Sequence, residues 1–142
     1  MDSKKVDLVF QYALAVAGEA EDFRERELGP IHLLKYLYLA DLAHARAEKR
    51  SFTGVSWRFH KFGPWSVEAY ERMQPAVQSV GAVERRFASP KNEEGIRWRV
   101  GDSRLALNLE AKLPWSVARE VRHAVREYGS DTSGLLHFVY KT

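Results

Sequence analysis

The chain of 142 residues contains no cysteine. This absence excludes disulfide scaffolds, cysteine-based zinc sites and cysteine nucleophiles. The sequence also has no run of about 18 apolar residues, which is the length that a bilayer-spanning helix requires. Its N-terminus has neither the apolar segment nor the small-residue cleavage site of a secretory signal. We therefore expect a cytoplasmic protein that has no membrane partner.

Recognisable catalytic motifs are absent as well. The sequence contains no G-x-S-x-G, no phosphate-binding P-loop and no G-x-G-x-x-G. The five histidines are His32, His44, His60, His123 and His137. They do not have the paired spacing of a zinc-binding helix. We therefore expect no catalytic residue, no metal site and no cofactor.

The composition is that of a soluble globular protein, with 45% hydrophobic and 29% charged residues. The length suits a single domain over residues 1–142, which can bury about two thirds of its unfolded surface. The net charge of +3 is distributed unevenly, with −3 over residues 1–30 and +6 over the remainder. This asymmetry allows an anionic partner for the basic part, although solvated faces of mixed charge would look the same.

Apolar residues spaced by three and four predict most of the chain to be helical. The pattern indicates helices over 5–17, 30–47, 64–75 and 114–128, and a short one that begins near Thr132. The 30–47 segment is apolar nearly all round, which is typical of a helix buried in the middle of a domain. Proline at a first helical turn is favourable, so we expect Gly63-Pro64 to begin a helix that ends at Pro75.

Strict alternation of apolar and polar residues predicts strands at 55–60, 83–88 and 96–100. The last two are separated by a polar, turn-rich loop, which indicates a β-hairpin. We therefore predict an α+β fold that is mostly helical, with four to five helices around the buried 30–47 helix. A small antiparallel sheet would combine the strand near 55–60 with the hairpin near 83–100.

One tetrapeptide occurs twice, as PWSV at 64–67 and again at 114–117. Both copies lie at predicted helix starts, while the flanking sequences differ. We interpret the repeat as one helix-start signal used twice. Trp65 and Trp115 would then anchor the two helices to the core.

Asp41 and His44 lie three residues apart on the most apolar helix, so their side chains can be neighbours. One interpretation is an acid–base pair that transfers protons. The other is that Asp41 is a buried carboxylate, held by a tyrosine, an arginine or a backbone N–H, that fixes this helix in place.

The predicted hairpin suggests a nucleic-acid interface, because helices followed by a basic hairpin resemble a winged helix. Acidic residues at 84, 93 and 94 dilute the basic patch, and a solvated hairpin would look similar. Lys91 would lie at the hairpin tip. The candidate phosphate contacts are Arg85, Arg86, Arg97 and Arg99.

Several short motifs, in order, carry a resemblance to a known family. They are LLKYLYLADLAH at 33–44, FTG at 52–54, WRF at 57–59, FGP at 62–64 and LLHFVYKT at 135–142. Together they resemble the Panacea domain family, also called SocA-like, over roughly residues 5–142. Members of this family have a Lys-x-Leu-x-Tyr-x-Ala-Asp-like helix, a Thr-Gly segment followed by a strand, and a Gly-Pro helix start.

The resemblance implies that the chain is not an enzyme but a single Panacea-like domain that acts as a bacterial or phage antitoxin or toxin-binding adaptor. Such a protein neutralises a toxin encoded by a neighbouring gene through direct binding, and the SocA type also delivers its toxin to a protease. The implied partners are therefore a cognate toxin and a protease or chaperone. Structural roles in the family motif would belong to Tyr38, Ala40, Asp41, Thr53 and Gly54.

We expect the toxin-binding surface to surround the Gly-Pro turn, because aromatic and cationic residues concentrate there. The alternative is that Trp57 and Phe59 belong to the core and that the neighbouring cations are merely solvated. The candidate partner-binding residues are Trp57, Arg58, His60, Lys61, Phe62, Gly63, Pro64 and Trp65.

Overall fold

The second helix of the chain lies at the centre of the fold, as seen in a computed structural model that describes residues 1–88 and 94–142. These residues form six α-helices and four β-strands. The helices are α1 (Ser3–Ala17), α2 (Pro30–Glu48), α3 (Val67–Ser79), α4 (Leu105–Glu110), α5 (Trp115–Tyr128) and α6 (Thr132–Tyr140). The strands are β1 (Arg58–His60), β2 (Gly63–Trp65), β3 (Val83–Ala88) and β4 (Glu94–Arg99).

Helix α2 packs against α1, α3, α5 and α6, which surround it. Its leucines are buried on several sides, since Leu33, Leu34, Leu37 and Leu39 are all nearly inaccessible to solvent. An apolar residue at almost every position therefore produces a central helix, as the sequence predicts. The predicted class, α+β and mostly helical, is confirmed. Helix α4 is an addition that the sequence analysis did not predict.

The strands form two separate antiparallel pairs rather than one sheet. Strand β1 pairs with β2, so that Arg58 faces Trp65, and β3 pairs with β4, so that Val83 faces Arg99. The expected combination of the first strand with the hairpin is therefore wrong. The predicted hairpin itself is present, while its tip, including Lys91, lies outside the described residues.

Gly63-Pro64 lies in strand β2 and does not begin a helix. Gly63 has a φ of +92°, a left-handed conformation that glycine adopts without steric cost. Helix α3 begins three residues later, where the Ser66 hydroxyl accepts the Ala69 N–H and caps the first turn. The predicted helix start at Pro64 is thus wrong, because Ser66 is the stronger start signal.

Helix α3 also continues through Pro75 to Ser79, past the predicted end. Pro75 is on the exposed side of the helix, where water can replace the lost backbone hydrogen bond. Ala76 and Val77 on the other side are buried, and the Gln11 amide donates to the Ala76 carbonyl. Burial of the apolar side outweighs the break that a proline normally causes.

The repeated tetrapeptide has two different structures. In the first copy Trp65 is half-buried in a strand and Val67 is exposed; in the second copy Val117 is buried and Trp115 is 74% exposed. The expectation that both tryptophans anchor helices to the core is therefore wrong for Trp115. None of the helices described is both long and apolar enough to cross a membrane.

Candidate functional site

Strands β1 and β2 form a short hairpin, residues 58–65, whose tip is open to solvent. Five consecutive residues, 58–62, are exposed, whereas Gly63 and Pro64 are buried. Phe59 and Phe62 are 64% and 52% exposed, so two large aromatic side chains face water on one turn. The interpretation of Phe59 as a core residue is wrong.

Helix α2 holds the hairpin from behind through Lys35, whose side chain is only 1% exposed. Its ammonium group donates to the Pro64 carbonyl oxygen at 2.9 Å and forms no ion pair among the described residues. Burial lowers the pKa of Lys35 to about 8. A side chain at Gly63 would lie 3.2 Å from the Lys35 Cε atom, so glycine allows the strand to approach this lysine closely.

Asp41 connects α2 to the segment that precedes the hairpin. Its carboxylate accepts the Thr53 N–H at 2.9 Å, the Thr53 hydroxyl at 2.7 Å and the Trp57 indole N–H at 2.9 Å. The side chain is nearly inaccessible, with 3% exposure, so these hydrogen bonds replace its hydration. The interpretation of Asp41 as a buried structural carboxylate fits this geometry.

Tyr38 supports the hairpin through ring contacts. Its ring meets Trp57 edge-on at 5.5 Å and Phe59 edge-on at 5.8 Å, the arrangement that aromatic pairs prefer. Of the other family-motif positions, Ala40 is buried in α2, and Gly54 adopts a φ of +74° in a turn. Tyr38 thus contacts the hairpin directly, and Asp41 connects Thr53 to Trp57, which precedes it.

The side of the hairpin away from Tyr38 borders a shallow cleft of about 550 Å³. His60 meets the Trp65 ring edge-on at 6.4 Å, and Trp65 lies 5.3 Å from the Tyr70 ring. At the other end, the Tyr140 hydroxyl of α6 donates to the Lys61 carbonyl at 3.1 Å. The hairpin is thus fixed by three helices, while its tip stays uncovered within the described structure.

The structure does not join Asp41 and His44 into an acid–base pair. The His44 Nδ1 atom donates to the Arg50 carbonyl at 2.7 Å, because a carbonyl can only accept. The Asp41 oxygens are occupied by Thr53 and Trp57. The two side chains therefore form no hydrogen bond with each other.

The arginines of the β3–β4 hairpin are engaged with neighbouring side chains. Arg85 forms a two-pronged ion pair with Glu27, and Arg85 and Arg97 lie 5.0 and 5.1 Å from the Phe87 ring centre. Burial lowers the pKa of Arg97, whose guanidinium packs against Gly29.

The other two candidate arginines, Arg86 and Arg99, do not contact the Phe87 ring in this way. Arg86 pairs with Glu84 at 2.9 Å, and Arg99 lies 5.1 Å from the Phe23 ring centre. Register places Arg86 on the opposite face of the sheet from Arg85, Arg97 and Arg99. The four arginines therefore do not form one uniform basic face.

Sequence reasoning missed the supporting residues of the β1–β2 hairpin, above all Lys35 and Tyr140. Lys35 could have been found, because a single lysine in an otherwise apolar helix segment is buried with its neighbours and then needs a hydrogen-bond partner. Tyr140 carried no such signal. Among the residues described, no group of three or more histidine or acidic side chains is arranged to hold a metal ion.

Comparison of the chain with protein-family models, curated proteins and solved structures found no match.

Proposed function

We propose that this chain binds a partner protein through the tip of the β1–β2 hairpin. The sequence resemblance to SocA-like antitoxins makes a toxin the expected partner, neutralised by direct binding. The chain would then act by covering the working surface of the toxin. Chemistry on a substrate is no part of this proposal.

The observation that carries the proposal is the exposure of Phe59 and Phe62 on a turn held from behind by Lys35 and Tyr140. Exposing two large aromatic rings to water costs free energy, and the contacts of Phe59 with Tyr38 and of Phe62 with Lys61 leave more than half of each residue uncovered. Aromatic residues on a preordered backbone are typical of the few positions that dominate binding energy at interfaces.

The charges beside these rings indicate the chemistry of the partner. Arg58 and Lys61 are exposed, and neither forms an ion pair within the described part of the chain. The Lys61 ammonium lies 5.7 Å from the Phe62 ring centre. A complementary partner surface would hold an apolar pocket bordered by acidic side chains.

Co-expression with the product of the adjacent gene tests the proposal. We expect the wild-type chain to restore growth to cells that express that product, and the double variant Phe59→Ala/Phe62→Ala to fail. Trp115→Ala is the control, because Trp115 is a large aromatic residue that is even more exposed and lies outside the hairpin. Restored growth with the double variant would contradict the role of the hairpin, and toxicity with the wild-type chain would contradict neutralisation.

A salt titration separates this proposal from nucleic-acid binding by the β3–β4 hairpin. The affinity for nucleic acid falls steeply as the salt concentration rises, because the release of counterions from the phosphates then gains less free energy, and it would depend on Arg99 rather than on Phe59. Recovery of nuclease-sensitive, salt-labile material with the purified chain, in place of a protein, would therefore overturn the proposal.

A further inference from the structure

A second cleft, with a volume of about 760 Å³, lies on another part of the surface. Its walls come from the first turn of α1, from the segment that follows α2 and from the turn between α4 and α5. Three cations line it, one from each wall: Lys5, Arg50 and Lys112. Leu8 and Pro114 supply apolar surface at its edge.

None of the three cations forms an ion pair in the structure as described. The carboxylate that lines the cleft is that of Asp2, which accepts the Lys5 N–H and so caps α1. One carboxylate therefore faces three ammonium or guanidinium groups. Uncompensated charge of one sign in a concave site attracts an ion of the opposite sign.

His44 adds a fourth polar group to the cleft. Its Nδ1 atom donates to the Arg50 carbonyl, and its Nε2 atom has no partner among the described residues. No side-chain nitrogen or oxygen of these residues is both buried and without a hydrogen bond, so Nε2 reaches solvent. With the proton on Nδ1, Nε2 of the neutral ring can only accept a hydrogen bond, so His44 suits a hydroxyl group of a ligand rather than a phosphate oxygen.

The wall that carries Arg50 is fixed before any ligand binds. Thr53 is held by Asp41 on one side and accepts the Asp2 N–H at 2.7 Å on the other. The Phe52 ring lies between the Lys5 ammonium, 5.0 Å from its centre, and the His44 ring, at 5.4 Å. The backbone N–H groups of residues 50–52 donate to no other described residue, which leaves them available to an acceptor.

We propose that this cleft binds a small molecule that carries a phosphate group, through Lys5, Arg50 and Lys112. The volume lies within the range of small-molecule sites. A phosphate dianion matches the net positive charge of the walls, and guanidinium and ammonium groups bind phosphate oxygens through charge-assisted hydrogen bonds. The site is separate from the β1–β2 hairpin and does not depend on the function proposed above.

Titration of the full chain with inorganic phosphate and with AMP, monitored by proton–nitrogen NMR, tests this inference. We expect saturable shifts of the backbone amides of residues 50–54 with both probes, and none with chloride at equal ionic strength. The single variants Lys5→Ala, Arg50→Ala and Lys112→Ala should each weaken binding about tenfold or more. Each replaced side chain is exposed, and Arg50→Ala keeps the carbonyl that His44 binds, so the fold should persist.

Lys4→Ala is the matched control, since Lys4 is exposed in the same turn of α1 but does not line the cleft. Its affinity for phosphate should equal that of the wild type. Equal weakening by Lys4→Ala and Lys5→Ala would show diffuse attraction to net charge and overturn the proposal. Absence of saturable shifts at millimolar phosphate would overturn it as well. Shifts with AMP but not with phosphate would contradict recognition through the phosphate group.

Discussion

The Lys35 ammonium donates a 2.9 Å hydrogen bond to the Pro64 carbonyl oxygen, which joins the buried centre of α2 to the base of the β1–β2 hairpin. The bond spans 29 positions of sequence and replaces part of the hydration that the lysine loses on burial. The hairpin can therefore expose its aromatic tip without losing its position on the helices.

Stability should depend on pH through Lys35. Its pKa is about 8 in the folded chain and 10.5 in the unfolded chain. Between these values the unfolded chain binds a proton that the folded chain does not, so stability rises with pH across this interval. The expected gain from Lys35 is about 3 kcal/mol. Urea unfolding at several pH values between about 8 and 10.5 measures this gain in the free energy of unfolding.

Lys35→Met is the reference for that experiment, because it retains the length of the side chain and removes the titrating group. The free energy of unfolding of the variant should rise less between about pH 8 and pH 10.5 than that of the wild type. Identical slopes for the two proteins would contradict the lowered pKa of Lys35. The absolute stability of the variant does not enter the comparison.

Asp41→Asn should destabilise the fold by about 2 kcal/mol or more. The amide nitrogen would face the Trp57 indole N–H or the Thr53 hydroxyl, where the carboxylate now accepts, and would leave a donor unpaired. Chemical unfolding measures the loss. Asp102→Asn makes the same change at an exposed position and should cost less than about 0.5 kcal/mol. Equal costs for the two variants would contradict the structural role of Asp41.

Acid should weaken the fold through His32, which is fully buried between α2 and α6. Its Nδ1 atom accepts the Gly29 N–H at 2.9 Å, and its Nε2 atom bonds the Thr132 hydroxyl at 2.8 Å. Burial, with a smaller contribution from the charge of Arg97, lowers the pKa of His32 to about 4 from 6.5. The fold therefore accommodates the neutral form of the His32 ring rather than the charged form.

As the pH falls from 6.5 to about 4, the unfolded chain takes up a proton at His32 and the folded chain does not. Stability therefore falls across this interval, by about 3 kcal/mol from this residue. His32→Gln should show a correspondingly flatter acid dependence in thermal or urea unfolding. His123→Gln, at an exposed position, should leave the wild-type dependence unchanged. A wild-type slope in His32→Gln would count against the lowered pKa of His32.

The helical framework could be predicted from the sequence because its signals are local. The apolar residues of α2 predict a buried helix, and alternation predicts both arms of the β3–β4 hairpin. A buried, hydrogen-bonded Asp41 carboxylate was one of two interpretations, since an acidic residue on so apolar a helix requires partners.

The structure around the Gly-Pro turn could not be predicted, because it depends on contacts distant in sequence. Gly63-Pro64 resembles a helix start locally, but Lys35 and Leu136 pack against this strand. Phe59 alternates as a core residue would, yet it is 64% exposed and contacts the Tyr38 ring in a T-shaped pair. Local pattern gives the period of a strand and does not show what covers each face.

The most direct test of the central claim is the dissociation constant of the complex between this chain and the protein encoded beside it. Calorimetry should give equal affinities for the wild type and Trp115→Ala, and at least about 30-fold weaker binding for Phe59→Ala/Phe62→Ala. Equal affinities for all three chains would contradict the assignment of the β1–β2 hairpin as the binding surface.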